Sequence, residues 1–399
     1  GIPTVRNEEW KYTRISGLFN KDFELSLDKN SISLNEKEFE QFRLPQHEKA
    51  NEIVFINGIY SAPLSKIRSA AKQLVVASLE DAADGEYKEI IKTHLGHSNN
   101  YLKNGIHALN TAFAHEGVFI HVREGQILEH PIYIYNISDS RSSHTFSQSR
   151  NLVHVGESAE VKFVETFATI GSLESFTNEV TEIVVEQNAT VSFYKIQNET
   201  AQASQVSTTH LRQIGRSLTH VVTISLGGGI VRNNLNIILD AENSESHLTG
   251  LYLLKGNSLI DNHTVVDNVK PNCYSNELYK GIVDENASGV FNGKIFVRPL
   301  AQKTNAYQSN KNVLLSENAS VNTKPQLEIF ADDVKCSHGC AVGKLDEEAL
   351  FYLRSRGIGE KKAQSLLLHG FAADVVENIK LQSVREYVEK LISERLEFE

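Results

Sequence analysis

The sequence predicts a mainly β fold, a β-helix core flanked by helical regions at both ends. Three observations carry that prediction. From Gly117 to about Cys340 helical periodicity gives way to short alternating strands separated by Asn, Ser and Gly clusters. A turn-then-strand phrase returns inside this stretch: Ala159 to Ala189 is 30 residues and Ala287 to Ala319 is 32. Helical patterns then resume after Gly343.

Residues 1–116 read as a mostly helical first region. Asn7–Tyr12 starts a short helix, and Trp10, the only tryptophan, reads as a packing anchor. Asn51–Tyr60 contains an apolar strand that turns near Gly58. Leu79–His94 reads as one acidic amphipathic helix, and Asn100–His115 as another, with Leu102, Ile106, Leu109 and Phe113 on one face.

The core spans residues 117–343. Its strands are read at Val118–Val122, Ile132–Tyr135, Ala159–Glu165, Thr190–Lys195, His220–Ile224, Leu235–Leu239, Leu251–Leu254, Gly293–Val297 and Leu327–Phe330. The recurring phrase is Ser158-Ala159-Glu160, Asn188-Ala189-Thr190, Asn286-Ala287-Ser288 and Asn318-Ala319-Ser320, with weaker echoes at Ser217 and Ser258. Ala189 to Ala287, 98 residues, is read as three further units. A fixed period in an all-strand region marks a solenoid whose coils stack about 4.8 Å apart. A sandwich or barrel is the rival architecture. Gly227-Gly228-Gly229 reads as a tight corner. Residues 344–399 read as a C-terminal helical domain lying against the end of the solenoid, with helices at Asp346–Arg356, Glu360–Leu368, Phe371–Asn378 and Ser383–Leu396.

Composition excludes several function classes. Forty Lys and Arg against 50 Asp and Glu give a net charge of -10, which opposes a broad nucleic-acid surface. No apolar run approaches the roughly 18 residues of a membrane helix. The polar start Gly1–Tyr12 predicts no secretory signal, and three cysteines form no disulfide framework, so the expected location is cytoplasmic. The P-loop, the Gly-x-Gly-x-x-Gly strand-helix turn, the Gly-x-Ser-x-Gly elbow and His-Glu-x-x-His are all missing.

The strongest chemical constellation is Cys336-Ser337-His338-Gly339-Cys340. On a strand, residues 336, 338 and 340 share a face, which sets two thiols and an imidazole in a row that favours soft metals. Structural zinc and iron–sulfur centres take four ligands, so iron or a cluster here would be transient or shared with another chain. The bland alternative is two small core cysteines and a turn histidine. Cys273, two periods upstream of Cys336, is read either in the same column or, more simply, as a core residue. Leu350–Gly370 is close to a helix-hairpin-helix DNA-binding motif with Lys361 and Lys362 beside its turn, but Leu345–Glu399 carries 11 acidic and 8 basic residues. The other 14 histidines read as scattered. A β-helix enzyme acting on polysaccharide would need clustered carboxylates, and none can be placed.

The segments Asn7–Tyr12, Ala108–Phe113, Thr304–Asn310, Pro325–Gly339 and Leu345–Ile358 resemble the SufD family, scaffold subunits of SUF iron–sulfur cluster assembly. The resemblance implies a right-handed parallel β-helix between helical ends, and a non-catalytic role with no tightly bound cofactor. It implies a SufB-type paralogue joined at the β-helix end and a SufC-type ATPase docked on the C-terminal helices, through Leu350, Phe351, Arg354, Arg356 and Gly357. Cys336 and His338 would lie at the SufB contact and meet a transient iron or nascent cluster, with Cys340 just beyond them. The alternatives are a SufB-like subunit that itself holds the cluster and a DNA-binding protein; the sequence leaves the oligomeric state of the isolated chain open, a homodimer through the β-helix edge being one option.

Overall fold

The computed structural model describes residues 1–25, 34–114 and 117–396. His115, the last residue of the second sequence-predicted helix, and the boundary at residue 116 lie outside the described residues.

The chain starts with β1 (Glu24–Leu25), the short helix α1 (Glu36–Phe39), strands β2 (Asn51–Ile56), β3 (Ile59–Tyr60) and β4 (Leu74–Ser78), and helices α2 (Leu79–Asp84), α3 (Lys88–His94) and α4 (Gly105–Ala112). The single helix expected over Leu79–His94 is two. Ser78 caps the first by accepting from Asp81 N at 3.0 Å, and Gly85 ends it. The first region therefore mixes strands with its helices, and β2 and β4 each start a sheet.

Two ten-stranded sheets follow. The first holds β5 (Val118–Val122), β7 (Thr145–Val155), β9 (Ser175–Val185), β11 (Ala203–Gln213), β13 (Ile230–Leu239), β15 (Leu259–Asn268), β17 (Ser288–Val297) and β19 (Ser320–Ile329), with β1 and β4. The second holds β6 (Ile132–Asp139), β8 (Glu160–Ile170), β10 (Thr190–Asn198), β12 (Leu218–Gly227), β14 (Glu245–Leu254), β16 (Tyr274–Val283), β18 (Asn305–Leu314) and β20 (Lys335–Gly343), with β2 and β3. From β6 onward successive strands alternate between the sheets and every pairing is parallel, which is a β-helix of about eight turns. One column runs Glu160, Thr190, Leu218, Glu245, Tyr274, Asn305, Lys335, one residue per coil.

The repeated phrase is the corner of the coil. Ser158, Asn188, Asn243, Asn272 and Lys303 take φ between 57° and 61° at the corner before the second sheet, and Glu285 takes 55° before the first. The left-handed region costs most side chains about 1 kcal/mol and suits Asn and Gly, which favours Asn at the corners formed by Asn188, Asn243 and Asn272. The 98-residue interval is not three whole units. Ala189 precedes β10 in the second sheet, whereas Ala287 precedes β17 in the first, so the phrase marks both corners.

Inward side chains of both sheets form the central core, including Val161, Phe163, Ile183, Val191, Phe193, Leu211 and Ile237. The N-terminal segment covers the outer face of the first sheet. Trp10 is the expected anchor, buried with Ile15, Leu18, Ile106 and Phe176 and lying 3.8 Å from the Arg232 guanidinium. Gly228 turns the corner between β12 and β13 at φ 129°.

Three helices close the chain: α5 (Glu347–Ser355), α6 (Glu360–Val376) and α7 (Gln382–Leu396). The break expected at Gly370 is absent. Leu368, Ala372, Val375 and Val376 bury one continuous apolar face, which outweighs the roughly 1 kcal/mol cost of an interior glycine. Nor do these helices sit on the end of the solenoid. Helices α6 and α7 lie along the outer face of the second sheet, against Tyr194, Ile196, Val222, Ile224, Leu251 and Leu253, and α5 packs on α6. Among the described residues no helix is long and apolar enough to cross a membrane.

Candidate functional site

The coils stop at β19 and β20. Each pairs with a single neighbour, β17 and β18 respectively, so each presents one unpaired backbone edge. Such an edge is a template for another strand.

β20 places the Cys-Ser-His-Gly-Cys block. Its register sets Cys336 on Ala306, His338 on Gln308 and Cys340 on Asn310. Those three β18 residues point inward and are buried, so the thiols and the imidazole continue the inward rows of the β-helix. No later coil covers them. Cys336 is half-buried and touches the central core, while His338 and Cys340 are exposed. The expected shared face is therefore present, at the open end of the molecule. Alternate residues on a strand stand roughly 6.6 Å apart, so the row reads as a line rather than a cage. Among the described residues no three His, Cys, Asp or Glu side chains are grouped to hold a metal ion. Burial raises the Cys336 thiol pKa above its ordinary value, which keeps it protonated at neutral pH.

Cys273 does not share this column. The Cys336 column passes through Ala306 and Ser275, whereas Cys273 stands at the corner before β16. It is fully buried, its Sγ–H donates to the Ala241 carbonyl at 3.3 Å, and burial pushes the thiol up to about 11. It is a core residue.

Beneath the row lies a polar interior that strand alternation foreshadows but that was not read from the sequence. Further down the β-helix, Glu165 and Glu179 share the Lys195 ammonium at 3.1 and 3.7 Å, and Lys195 also donates to Ser207. Nearer the open end, Gln308 Nε2 donates to Glu277 Oε2 at 2.7 Å. Glu277, Gln308 and His338 form one inward column on three successive coils. The signal was a carboxylate at an inward position of β16, between Ser275 and Tyr279.

Burial pushes Glu277 up to about 7, with the hydrogen bond from Gln308 and the nearby Thr264 hydroxyl acting against the shift. A raised carboxylate costs stability above its unfolded pKa, and the cost is complete once pH exceeds the folded pKa. Glu277→Gln is therefore expected to be more stable than the parent by about 3 kcal/mol at pH 8, with the gain vanishing near pH 4.5. Urea unfolding across that range measures it, and a pH-independent difference would refute the assignment.

The histidines are less scattered than their positions along the chain suggest. On the outer face of the first sheet His121 Nδ1 and His154 Nδ1 stand 3.1 Å apart, and His97 Nδ1 is 2.8 Å from His210 Nε2. His94 and His107 pack beside them. Burial holds His154 and His210 down at about 3 and His107 at about 4, so these rings stay neutral and tie the segment around α3 and α4 to the sheet.

The expected docking residues fall on and after α5. Asp346 caps this helix by accepting from Ala349 N at 3.0 Å. Phe351 is 73% exposed and Tyr352 57%, while Leu350 is half-buried. Arg354 reaches Glu360 at 3.4 Å, and the Arg356 guanidinium lies over the Tyr352 ring at 5.2 Å. Gly357 takes φ 86° and turns the chain toward α6. Aromatic and arginine side chains left uncovered on one short helix are the usual anchors of a protein interface.

A family model described as the SufBD core domain of SUF system FeS cluster assembly matches residues 136–371, and one for the SufBD protein N-terminal region matches residues 1–134. The chain is 31% identical over 403 residues to an iron–sulfur cluster assembly SufBD family protein of Synechocystis, covering 98% of this chain and 87% of the relative. It is 31% identical over 403 residues to the iron–sulfur cluster assembly protein SufD of Escherichia coli, covering 99% and 90%. It is 34% identical over 288 residues to the chloroplastic protein ABCI7 of Arabidopsis thaliana, covering 70% and 60%.

Proposed function

The chain belongs to the SufBD family of SUF iron–sulfur cluster assembly proteins, and from that premise we propose that it is a non-catalytic, SufD-like scaffold subunit. It pairs with a SufB-type paralogue through the open end of the β-helix and with a SufC-type ATPase through α5 and the turn at Gly357. Cys336 and His338 contribute to a site shared across the first of these contacts. Iron or the nascent cluster is the cargo of that site, not a resident cofactor. The three free thiols suit the cytoplasm, where such thiols stay reduced.

One observation carries this reading. The row of Cys336, His338 and Cys340 ends the inward column of a solenoid whose last strands have unpaired edges. A strand edge supplies the docking surface and the row supplies an incomplete set of ligands, so a partner that completes the sheet also completes the site. Neutral imidazole and thiolate sulfur both bind iron, and binding releases the thiol proton.

Co-purification with the two partner subunits, followed by anaerobic reconstitution with iron and sulfide, tests it. The expected result is a stable complex whose cluster signal requires the SufB-type partner. A chain that assembles a full cluster alone would instead be a SufB-like subunit, and a chain that joins neither partner would not be a scaffold.

A further inference from the structure

Glu277 is the one carboxylate in the last coils that points inward, and it is 1% exposed. Ion pairing within the described residues supplies it with no cation, in contrast to Glu165 and Glu179, which share Lys195 inside the same solenoid. Gln308 donates to one of its oxygens, and the other, Oε1, has no partner. The Gln308 carbonyl oxygen and the Ser275 hydroxyl are likewise buried without partners. The Thr264 hydroxyl, on the facing strand of the first sheet, stands close enough to Glu277 to lower its proton affinity yet makes no well-formed hydrogen bond. Gly293 leaves room for the Gln308 amide to cross the interior, since a Cβ there would lie 2.3 Å from Gln308 Nε2. Buried oxygens with unused lone pairs are costly unless water or an ion meets them, and Glu277 and Gln308 carry two of them on adjacent coils of one column. The Glu277 column leads through Gln308 to His338 at the open end.

We propose that Glu277 and Gln308 form an inner subsite for a divalent cation, beneath the Cys336–His338 row and reached through the open end of the β-helix. Carboxylate and amide oxygens suit a hard or borderline ion such as Mn²⁺ or Fe²⁺, whereas the thiol and imidazole above them suit softer binding. The ion supplies the counter-charge that Lys195 supplies lower in the same interior. The subsite thus adds a holding position for iron to the proposed assembly site, and in that respect it rests on the preceding reading.

The test uses the isolated full chain and Mn²⁺, followed by electron paramagnetic resonance under anaerobic conditions, with Fe²⁺ as the second probe. The parent is expected to bind one ion that Glu277→Gln loses, with affinity at least tenfold weaker. Glu277→Gln should fold, because it is isosteric and removes a buried charge. His338→Ala should retain the ion, since the inner oxygens remain. Equal stoichiometry in the parent and Glu277→Gln, or no bound ion in the parent, would overturn the subsite. Failure of the scaffold reading appears elsewhere, as a complex that does not form, so the two failures are distinguishable.

Discussion

His338→Ala is expected to leave the fold and the pairing of subunits unchanged while cutting cluster maturation about tenfold or more. The imidazole is exposed on an edge strand and forms no part of the buried core. Truncating such a surface side chain changes stability by about 0.5 kcal/mol or less. Its chemistry is harder to replace. In the row on β20 it is the only group that offers a nitrogen, and its neutral form needs no proton removed before it meets iron. Cys336 beside it must lose a proton that burial makes harder to remove. The check is the cluster absorbance of the reconstituted complex, beside the melting temperature and elution volume of the same sample. Wild-type maturation in the variant would take His338 out of the site, and an unfolded variant would make it a structural residue.

Much of this molecule was legible from its residues because a solenoid writes its period into the sequence. The corner phrases at Ala159 and Ala189, and at Ala287 and Ala319, mark adjacent coils because each corner places a small buried alanine just before its strand. Two corners per coil use the same chemistry, so the interval between Ala189 and Ala287 misled. The placement of the C-terminal helices was not legible either. Their apolar faces require a partner surface but do not say which, and the outward residues of the second sheet, such as Tyr194 and Ile224, look in the sequence like any buried strand. The row at Cys336 was found from period-two spacing. The column of Glu277 and Gln308 beneath it joins residues 31 positions apart, and only the strand register brings them together. The histidine strip was hidden for the same reason: His121 and His154 are neighbours because β5 and β7 stack.

Removing residues 344–399 is expected to abolish binding of the ATPase subunit, but for a reason that does not test docking. Leu368, Ala372, Val375, Val376, Val384, Val388, Ile392 and Leu396 are all buried against the second sheet. Each larger side chain among them contributes about 1.5 to 3 kcal/mol, so together they are comparable to the roughly 5 to 15 kcal/mol that stabilises a domain, and their loss bares an apolar sheet face. The truncated chain should aggregate. Phe351→Asp combined with Arg354→Glu is the discriminating variant. Both side chains are exposed, and Arg354 has only a surface ion pair to lose. The expected result is an unchanged melting temperature with ATPase-subunit affinity reduced at least tenfold, read by calorimetry or co-elution. Retained affinity would move the docking surface off α5. The location matters because only Lys344, Leu345 and Asp346 separate β20 from α5. β20 is held by one neighbouring strand, so a displacement of α5 reaches the strand that carries Cys336 and His338 without crossing the packed core. ATP-driven movement of a subunit seated on Phe351 would then shift the edge of the shared site directly. Hydrogen exchange of Lys335–Gly343 in the assembled complex should therefore change with the nucleotide state, while exchange in β8 to β12 should not.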